Sequence, residues 1–163
     1  MNTNRIKETQ AMEDNFLIRS YRREDKRDVI ALWIQSNLVV PANNPEKDIE
    51  RKLAVNPDLF LVGILDDTVV ATCMAGYDGH RGWINYLAVA PQYRRQGIAT
   101  RIMKAAEKCL ISAGCPKINL QVRTSNMAVI QFYKSVGFSN DDVVSLGKRL
   151  APPASARADD HLP

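Results

Sequence analysis

A short basic segment, Arg94-Arg95-Gln96-Gly97-Ile98-Ala99, has the residue types and spacing of an anion-binding loop. It stands between a strand-like run, 83–89, and a helix-like run, 98–113. The first turn of a helix carries backbone N–H groups without internal partners, and the helix dipole adds partial positive charge there. Gly97 lets a phosphate approach the backbone without a Cβ in the way, and the two arginines add mobile positive charge. An ordinary helix start with two solvated arginines is the alternative interpretation.

The surrounding residues favour the anion-binding interpretation, because three segments in this order resemble the GNAT family of acyl-CoA-dependent N-acetyltransferases. The first segment is Leu87-Ala88-Val89-Ala90-Pro91. The family's loop reads Gln/Arg-x-x-Gly-x-Gly/Ala, which Arg94, Gly97 and Ala99 match. Its later Asn…Phe-Tyr…Gly-Phe pattern is matched by Asn126, Phe132, Tyr133, Gly137 and Phe138. The resemblance covers residues 16–150, and the runs 76–82 and 146–150 are similar to the small bacterial YpeA-type branch.

The resemblance implies that acetyl-CoA is the cosubstrate, and no metal is expected. It implies that the strands at 83–90 and 117–124 splay apart and open a slot for the pantetheine arm. The pyrophosphate would then lie on the loop 94–100, and the backbone N–H of Val89 could polarise the thioester carbonyl. The expected cofactor-binding residues are Leu87, Ala88, Val89, Arg94, Arg95, Gln96, Gly97, Ile98, Ala99, Thr100, Asn126 and Phe132.

Tyr133 is the candidate general acid. A departing thiolate has a thiol-like basicity near ~8.5, and a phenol near ~10 can hand it a proton at modest cost. The resemblance implies that the tyrosine of the Phe-Tyr pair lies beside the thioester sulfur. The alternative is a half-buried aromatic residue on the core-facing side of a helix, as most such tyrosines are.

The general base is harder to assign. Many family members carry a Glu on the strand at 83–90, but Trp83, Asn85 and Leu87 are not acids. The ribosomal-protein-acetylating branch has a Glu where this chain has Gln121, and an amide cannot take a proton.

The acceptor side is expected at the glycine-rich turn 76–82, which carries Asp78 and His80. These two residues are the nearest candidates for the base, and a solvated hairpin turn is the alternative. Trp33, on the first helix, is expected to form the opposite wall of the acceptor site.

Composition favours a single domain, because the chain has 163 residues of which 45% are hydrophobic and 25% charged. The expected parts are a flexible extension at 1–15, an N-acetyltransferase domain at 16–150 and a disordered tail at 151–163. No apolar run approaches the ~20 residues of a membrane helix, and the N-terminus lacks the apolar core of a secretory signal. A cytoplasmic location is therefore expected.

Charge and cysteine usage argue against two other classes of partner. The net charge is +4, but the basic residues are scattered apart from Arg22-Arg23 and Arg94-Arg95, which disfavours nucleic acid as a partner. Three cysteines without a Cys-x-x-Cys pattern suggest neither a disulfide framework nor a zinc site.

Hydrophobic periodicity predicts alternating strands and helices after an antiparallel hairpin, and hence a mixed α/β sheet covered on both faces. Strands are expected at 16–21, 59–65, 69–75, 83–89, 117–123 and 142–150, and helices at 23–38, 45–56, 98–113 and 126–136. The resemblance implies the mostly antiparallel six- to seven-stranded GNAT sheet with its splayed central strand pair.

Three functions stay open at this point. The first is acetyl transfer from acetyl-CoA to an amine, either a small molecule or a protein amine, by direct attack. The second is an acyl-CoA-binding module without turnover, which the missing base would explain. The third is an RNA-directed acetyltransferase, which the excess of basic residues permits. A homodimer is compatible with all three.

Overall fold

A computed structural model describes residues 15–150. The expected extension at 1–15, apart from Asn15, and the expected tail at 151–163 lie outside the described residues. Within them the chain forms five strands and four α-helices, joined by short 3₁₀ turns. The strands are β1 Phe16–Ser20, β2 Phe60–Leu65, β3 Thr68–Tyr77, β4 Gly82–Val89 and β5 Ile118–Asn119. The helices are α1 Lys26–Gln35, α2 Pro45–Val55, α3 Ile98–Ser112 and α4 Met127–Ser135.

The strands form one mixed sheet in the order β1-β2-β3-β4-β5. The first four are antiparallel neighbours, and β5 pairs parallel to β4 after the crossover through α3. This arrangement confirms the predicted mixed, mostly antiparallel sheet with helices on both faces.

The number of strands is lower than the six to seven expected. β5 has two residues instead of seven, and residues 142–150 form no strand. A strand needs a partner for its backbone groups and a buried face for its apolar side chains. In the final segment these side chains lie in solvent, so burial does not hold the chain against the sheet: Val143, Val144, Leu146 and Leu150 are 75 to 91% exposed.

The two faces of the sheet separate the helices into two layers. Thr72 and Cys73 are consecutive residues of β3, so their side chains leave opposite faces. On the first face, the indole Nε1 of Trp33 in α1 donates to the hydroxyl of Thr72 over 2.9 Å. On the second face, Cys73 is fully buried and lies near enough to Cys109 of α3 and Tyr133 of α4 to influence their electrostatics. We call these the α1/α2 face and the α3/α4 face.

A β-bulge in β4 interrupts the alternation of side chains. Thr72 pairs with Ala88 and Met74 pairs with Asn85, so one residue of β3 opposes two residues of β4. Strict alternation would send Tyr86 to the face opposite Asn85. Tyr86 instead has a positive φ of 50° and its ring stacks on Trp33 with the ring centroids 3.9 Å apart. The bulge therefore turns Tyr86 onto the α1/α2 face.

Candidate active site

The site begins where β4 and β5 separate. The two strands pair only through Gly82 with Ile118 and Trp83 with Asn119. Beyond Trp83, no strand of residues 15–150 pairs with the edge of β4 that faces β5 as far as Val89. This confirms the expected splayed pair, and it leaves a slot along which backbone N–H and C=O groups of β4 are available to a ligand.

The orientation of the end of β4 follows from two hydrogen bonds. The Ala90 N–H donates to the Val70 carbonyl of β3 over 2.8 Å. Consecutive residues of a strand direct their backbone groups to opposite edges, so the N–H and C=O of Val89 face the slot. The Val89 carbonyl accepts a bond of 3.0 Å from Nε of Arg94. The Val89 N–H is thus on the edge where a thioester carbonyl would need a donor.

The loop 94–97 follows directly and is open to solvent. Arg95 and Gly97 have φ values of 60° and 79°, a left-handed geometry that gathers successive N–H groups on one side of the chain. Gly97 is the N-cap of α3 and has no side chain to cap it, and the first turn holds no acidic residue. A Cβ at Gly97 would meet no atom within 4 Å. The free N–H groups of Ile98, Ala99 and Thr100 therefore point towards an open, positively polarised space.

The side chains of this loop divide into engaged and free groups. Arg94 is held at its Nε by Val89, and its Nη2 lies 3.5 Å from the Ser36 hydroxyl after α1. Gln96 folds back on the preceding turn, its amide 3.0 Å from the Gln92 carbonyl. Arg95 is exposed. Arg94 therefore shapes the loop, and Arg95 is the more mobile positive charge.

Tyr133 lies on the α3/α4 face. It is 8% exposed, and its ring packs against Phe132 and Phe138 with centroid distances of 5.2 and 5.5 Å. Burial, with a smaller contribution from Cys73, raises the pKa of its phenol above the ordinary value, so the hydroxyl keeps its proton through the neutral range. Within residues 15–150 we find no hydrogen-bond partner for this hydroxyl, which leaves it free for a ligand.

Asn126 caps α4, because its side-chain oxygen accepts from the Val129 N–H over 3.3 Å. That bond uses the oxygen and leaves the amide N–H groups free. A cleft of about 910 Å³ opens between β5, α4 and the segment 139–145, and its lining does not include Asn126, Val89 or the loop 94–97. Tyr133 is among the residues that line it.

Asp78 and His80 lie at the other end of β4 from the loop. Gly82 and Val89 are seven residues apart, or ~23 Å along a strand. Asp78 also has a structural role, because its carboxylate accepts from the N–H groups of His80 and Arg81 at 2.8 and 2.7 Å. These hydrogen bonds lower the pKa of the Asp78 carboxyl. Asp78 also accepts from the indole N–H of Trp83 over 3.2 Å. The length of strand between this turn and Val89 argues against either residue as a base at a thioester beside Val89.

The expectation that Trp33 forms a wall of the acceptor site is wrong, because Trp33 lies in the core. It is fully buried, and it stacks between Phe60 and Tyr86. Its indole N–H donates to the Thr72 hydroxyl, which in turn donates to the Tyr86 carbonyl of β4 over 2.8 Å. These two hydrogen bonds connect Trp33 to β4. Trp33 thus fixes the bulge at Tyr86 and has no surface for an acceptor.

Sequence reasoning missed a carboxylate–phenol pair on the α1/α2 face. The Tyr86 hydroxyl donates to Oδ2 of Asp48 in α2 over 2.7 Å. Burial and Asp48 raise the pKa of Tyr86 to about 12, with a smaller opposing effect from Asn43. The two residues are 38 positions apart, and neither belongs to a motif. The only signal was the N-cap Asn44 with Pro45, which places Asp48 in the first turn and a half of a helix.

Among the described residues no three His, Cys, Asp or Glu side chains lie together as a metal site would require. The described part of the chain also has no helix with the length and apolar character needed to cross a bilayer.

Comparison with known proteins agrees with this geometry. The chain matches the profile of the Acetyltransferase (GNAT) family over residues 18–138. It is 52% identical over 134 residues to an acetyltransferase of Sodalis glossinidius (strain morsitans), covering 82% of this chain and 94% of the relative. It is 47% identical over 133 residues to an acetyltransferase of Yersinia pestis (strain Pestoides F), with the same coverages of 82% and 94%.

A structure of AAC(6')-Iy in complex with the bisubstrate analog CoA-S-monomethyl-acetylneamine superimposes with a TM-score of 0.66. The identity is 16%, and the superposition covers 82% of this chain and 98% of that one, so the likeness concerns the fold.

The fold and the family profile are those of an N-acetyltransferase. The chain belongs to the GNAT family and is an N-acetyltransferase. The YpeA-type branch stays a prediction.

Proposed function

We propose that this enzyme transfers the acetyl group of acetyl-CoA to an amine, of a small molecule or a protein, by direct attack on the thioester. The observation that carries the proposal is the continuity of the open β4 edge with the loop 94–97. One path leads from backbone groups suited to the pantetheine arm to N–H groups suited to the pyrophosphate. We also propose a cytoplasmic location.

The residues at one end of this path bind the phosphates, and those at the other end bind the arm and carry out the transfer. The N–H groups of 97–100 and Arg95 hold the phosphates. The backbone of Val89 faces the slot and holds the arm, which lies along Leu87 and Ala88, although the backbone groups of Ala88 are directed to β3. The Val89 N–H stabilises the negative charge that develops on the thioester oxygen, and the free amide of Asn126 donates to the arm. Tyr133, on the α3/α4 face of the slot, protonates the departing thiolate.

The test compares two glycines of the same conformation. Gly97→Asp puts a carboxylate against the phosphates, and Gly79→Asp makes the same change in the exposed turn, where φ is also positive at 90° and no atom lies within 4 Å. Both variants carry a similar left-handed strain of about 1–2 kcal/mol. We expect calorimetric titration with acetyl-CoA to show a loss of at least about tenfold in affinity for the first variant only.

Thiol release with a panel of amines separates transfer from binding alone. An enzyme releases free thiol in proportion to amine, whereas an acyl-CoA-binding module binds acetyl-CoA and releases none. Equal affinities of the two glycine variants would place the phosphates away from the loop 94–97.

A further inference from the structure

Tyr86 lies in the part of β4 that no longer pairs with β5. It immediately precedes Leu87, and the bulge turns its ring onto the α1/α2 face. Tyr133 lies on the α3/α4 face. A thioester in the slot would therefore have Tyr133 on the side of its sulfur and Tyr86 on the opposite side, from which a nucleophile can approach.

The contacts of Tyr86 fix which way its hydroxyl can act. A phenol has one proton to donate and lone pairs with which to accept. The proton is committed to Asp48 over 2.7 Å. Asn43 lies near enough to act as a donor to the same oxygen, so one of its two lone pairs remains for a further donor such as the acceptor nitrogen. The ring is held by its stack on Trp33, with centroids 3.9 Å apart. Tyr86 is half-buried and the Asp48 side chain is 24% exposed, so both remain within reach of solvent.

We infer that Tyr86 is the residue that receives the proton of the acceptor nitrogen, and that Asp48 is the positioning residue that makes its oxygen a strong enough acceptor. The inference rests on the proposed function and supplies its missing base. It also predicts the form of the acceptor: a primary or secondary amine that enters from the α1/α2 face in its neutral state.

The proton steps balance. The amine nitrogen forms a bond to the thioester carbon, the C–S bond breaks, and Tyr133 gives its proton to the sulfur. The nitrogen becomes positively charged and far more acidic as this bond forms, so a phenol–carboxylate pair suffices as the base. The nitrogen's proton passes to the Tyr86 oxygen while the Tyr86 proton passes to the Asp48 carboxylate. Asp48 then releases that proton to water, and Tyr133 regains one from water.

The negative charge of Asp48 assists most in the transition state. The acceptor nitrogen carries little charge before attack and substantial positive charge during it. A carboxylate that acts through one phenol therefore stabilises the transition state more than the bound amine, which raises kcat more than it lowers KM. Arg51 binds the other oxygen of Asp48 at 2.9 Å from a largely exposed position, which leaves Oδ2 directed at Tyr86.

Two variants and one matched control test the inference. Tyr86→Phe keeps the ring and its stack on Trp33 and removes only the hydroxyl. Asp48→Asn keeps an oxygen that can accept from Tyr86 and removes the charge. Glu50→Gln removes the same charge from an exposed position on the same helix. Amine-dependent thiol release is measured with butylamine, spermidine and a tripeptide amide that has a free α-amine.

We expect Tyr86→Phe and Asp48→Asn each to lower kcat about 10- to 100-fold for the amines that the wild type uses. Acetyl-CoA affinity, the KM for the amine and the thermal midpoint should stay near those of Glu50→Gln. The double variant should be about as active as the less active of the two single variants, because both residues act on one proton path.

Three results would overturn the inference. One is activity of both single variants within twofold of the control. Another is a double variant whose losses multiply, and a third is a loss confined to acetyl-CoA affinity. A wild type that binds acetyl-CoA and releases no thiol with any of the three probes overturns the proposed transfer itself, and this inference with it.

Discussion

Nε of Arg94 donates to the carbonyl oxygen of Val89 over 3.0 Å, and this bond joins the last residue of β4 to the loop that precedes α3. The strand and the loop contribute to the site in different ways, one through an edge of backbone groups and the other through a helix N-terminus. Their relative position decides whether one extended ligand can bind both. The Arg94–Val89 bond is therefore a structural link between the two halves of the proposed cofactor site.

Replacing Arg94 tests this link. Arg94→Lys keeps the positive charge but removes the Nε–H, and an ammonium cannot reproduce the planar geometry of the guanidinium. A hydrogen bond from a charged group contributes about 1.5–3 kcal/mol, so we expect acetyl-CoA affinity to fall by about tenfold or more. Arg95→Lys changes an exposed neighbour and should lose less than half as much free energy of acetyl-CoA binding as Arg94→Lys. Calorimetric titration of both variants makes the comparison, and equal losses would mean that Arg94 acts by charge alone.

Tyr133→Phe removes the proposed acid and keeps the aromatic cluster with Phe132 and Phe138. We expect kcat to fall about 100-fold or more, the scale of a general acid, while acetyl-CoA affinity changes little. A thioester with a more acidic thiol needs less help in leaving, so the loss should shrink with such a substrate. A variant with wild-type kcat would reduce Tyr133 to a packing residue.

Gly82→Ala should disturb the junction at which β4 and β5 meet. A Cβ at Gly82 would lie 2.8 Å from Sγ of Cys115 and 3.2 Å from Leu110. Overpacking of this kind costs about 1–3 kcal/mol. Gly76→Ala is the matched control in β3, because its Cβ would meet nothing closer than 3.8 Å. Chemical denaturation should show the larger loss of unfolding free energy for the first variant, and a Gly82→Ala protein as stable as the control would contradict the packing seen here.

The Arg19–Asp25 pair should make stability depend on acid pH. Burial by itself would raise the pKa of the Asp25 carboxyl, but hydrogen bonds from Arg19 and the Arg22 N–H outweigh it and lower the pKa. A carboxyl with a lowered pKa stabilises the fold above its unfolded-state value near ~3.9, and this stabilisation is lost as the pH falls through the folded value.

We therefore expect Asp25→Asn to lose about 2 kcal/mol near neutral pH and to approach the wild type below about pH 4. Denaturant titrations at a series of pH values measure this difference. Asp28→Asn, an exposed position on α1, serves as the control and should show a small difference at every pH. A deficit of Asp25→Asn that stays constant down to pH 2 would exclude the ion pair as its cause.

Local patterns in the sequence were sufficient for the structure of the segments that carry the proposed cofactor residues. The loop before α3 is such a case, because Gly97 and the first turn of the helix depend on their own backbone. The same holds for the helix that carries Tyr133, which begins at the capping residue Asn126 and ends near Gly137. The functions of these residues stay predictions. The alternation of strands and helices, together with the motifs, was enough for the mixed sheet and the splayed pair.

The proposed acceptor side could be recognised only in the tertiary structure. The sequence did not single out Tyr86, because a bulge that periodicity cannot show turns this residue to the α1/α2 face. Its carboxylate partner comes from α2, 38 residues earlier in the chain. The expected final strand at 142–150 depended equally on non-local partners, and it did not form because its apolar side chains are not buried. A sequence pattern reports the preferences of neighbouring residues, whereas contacts between distant segments depend on how the whole sheet packs.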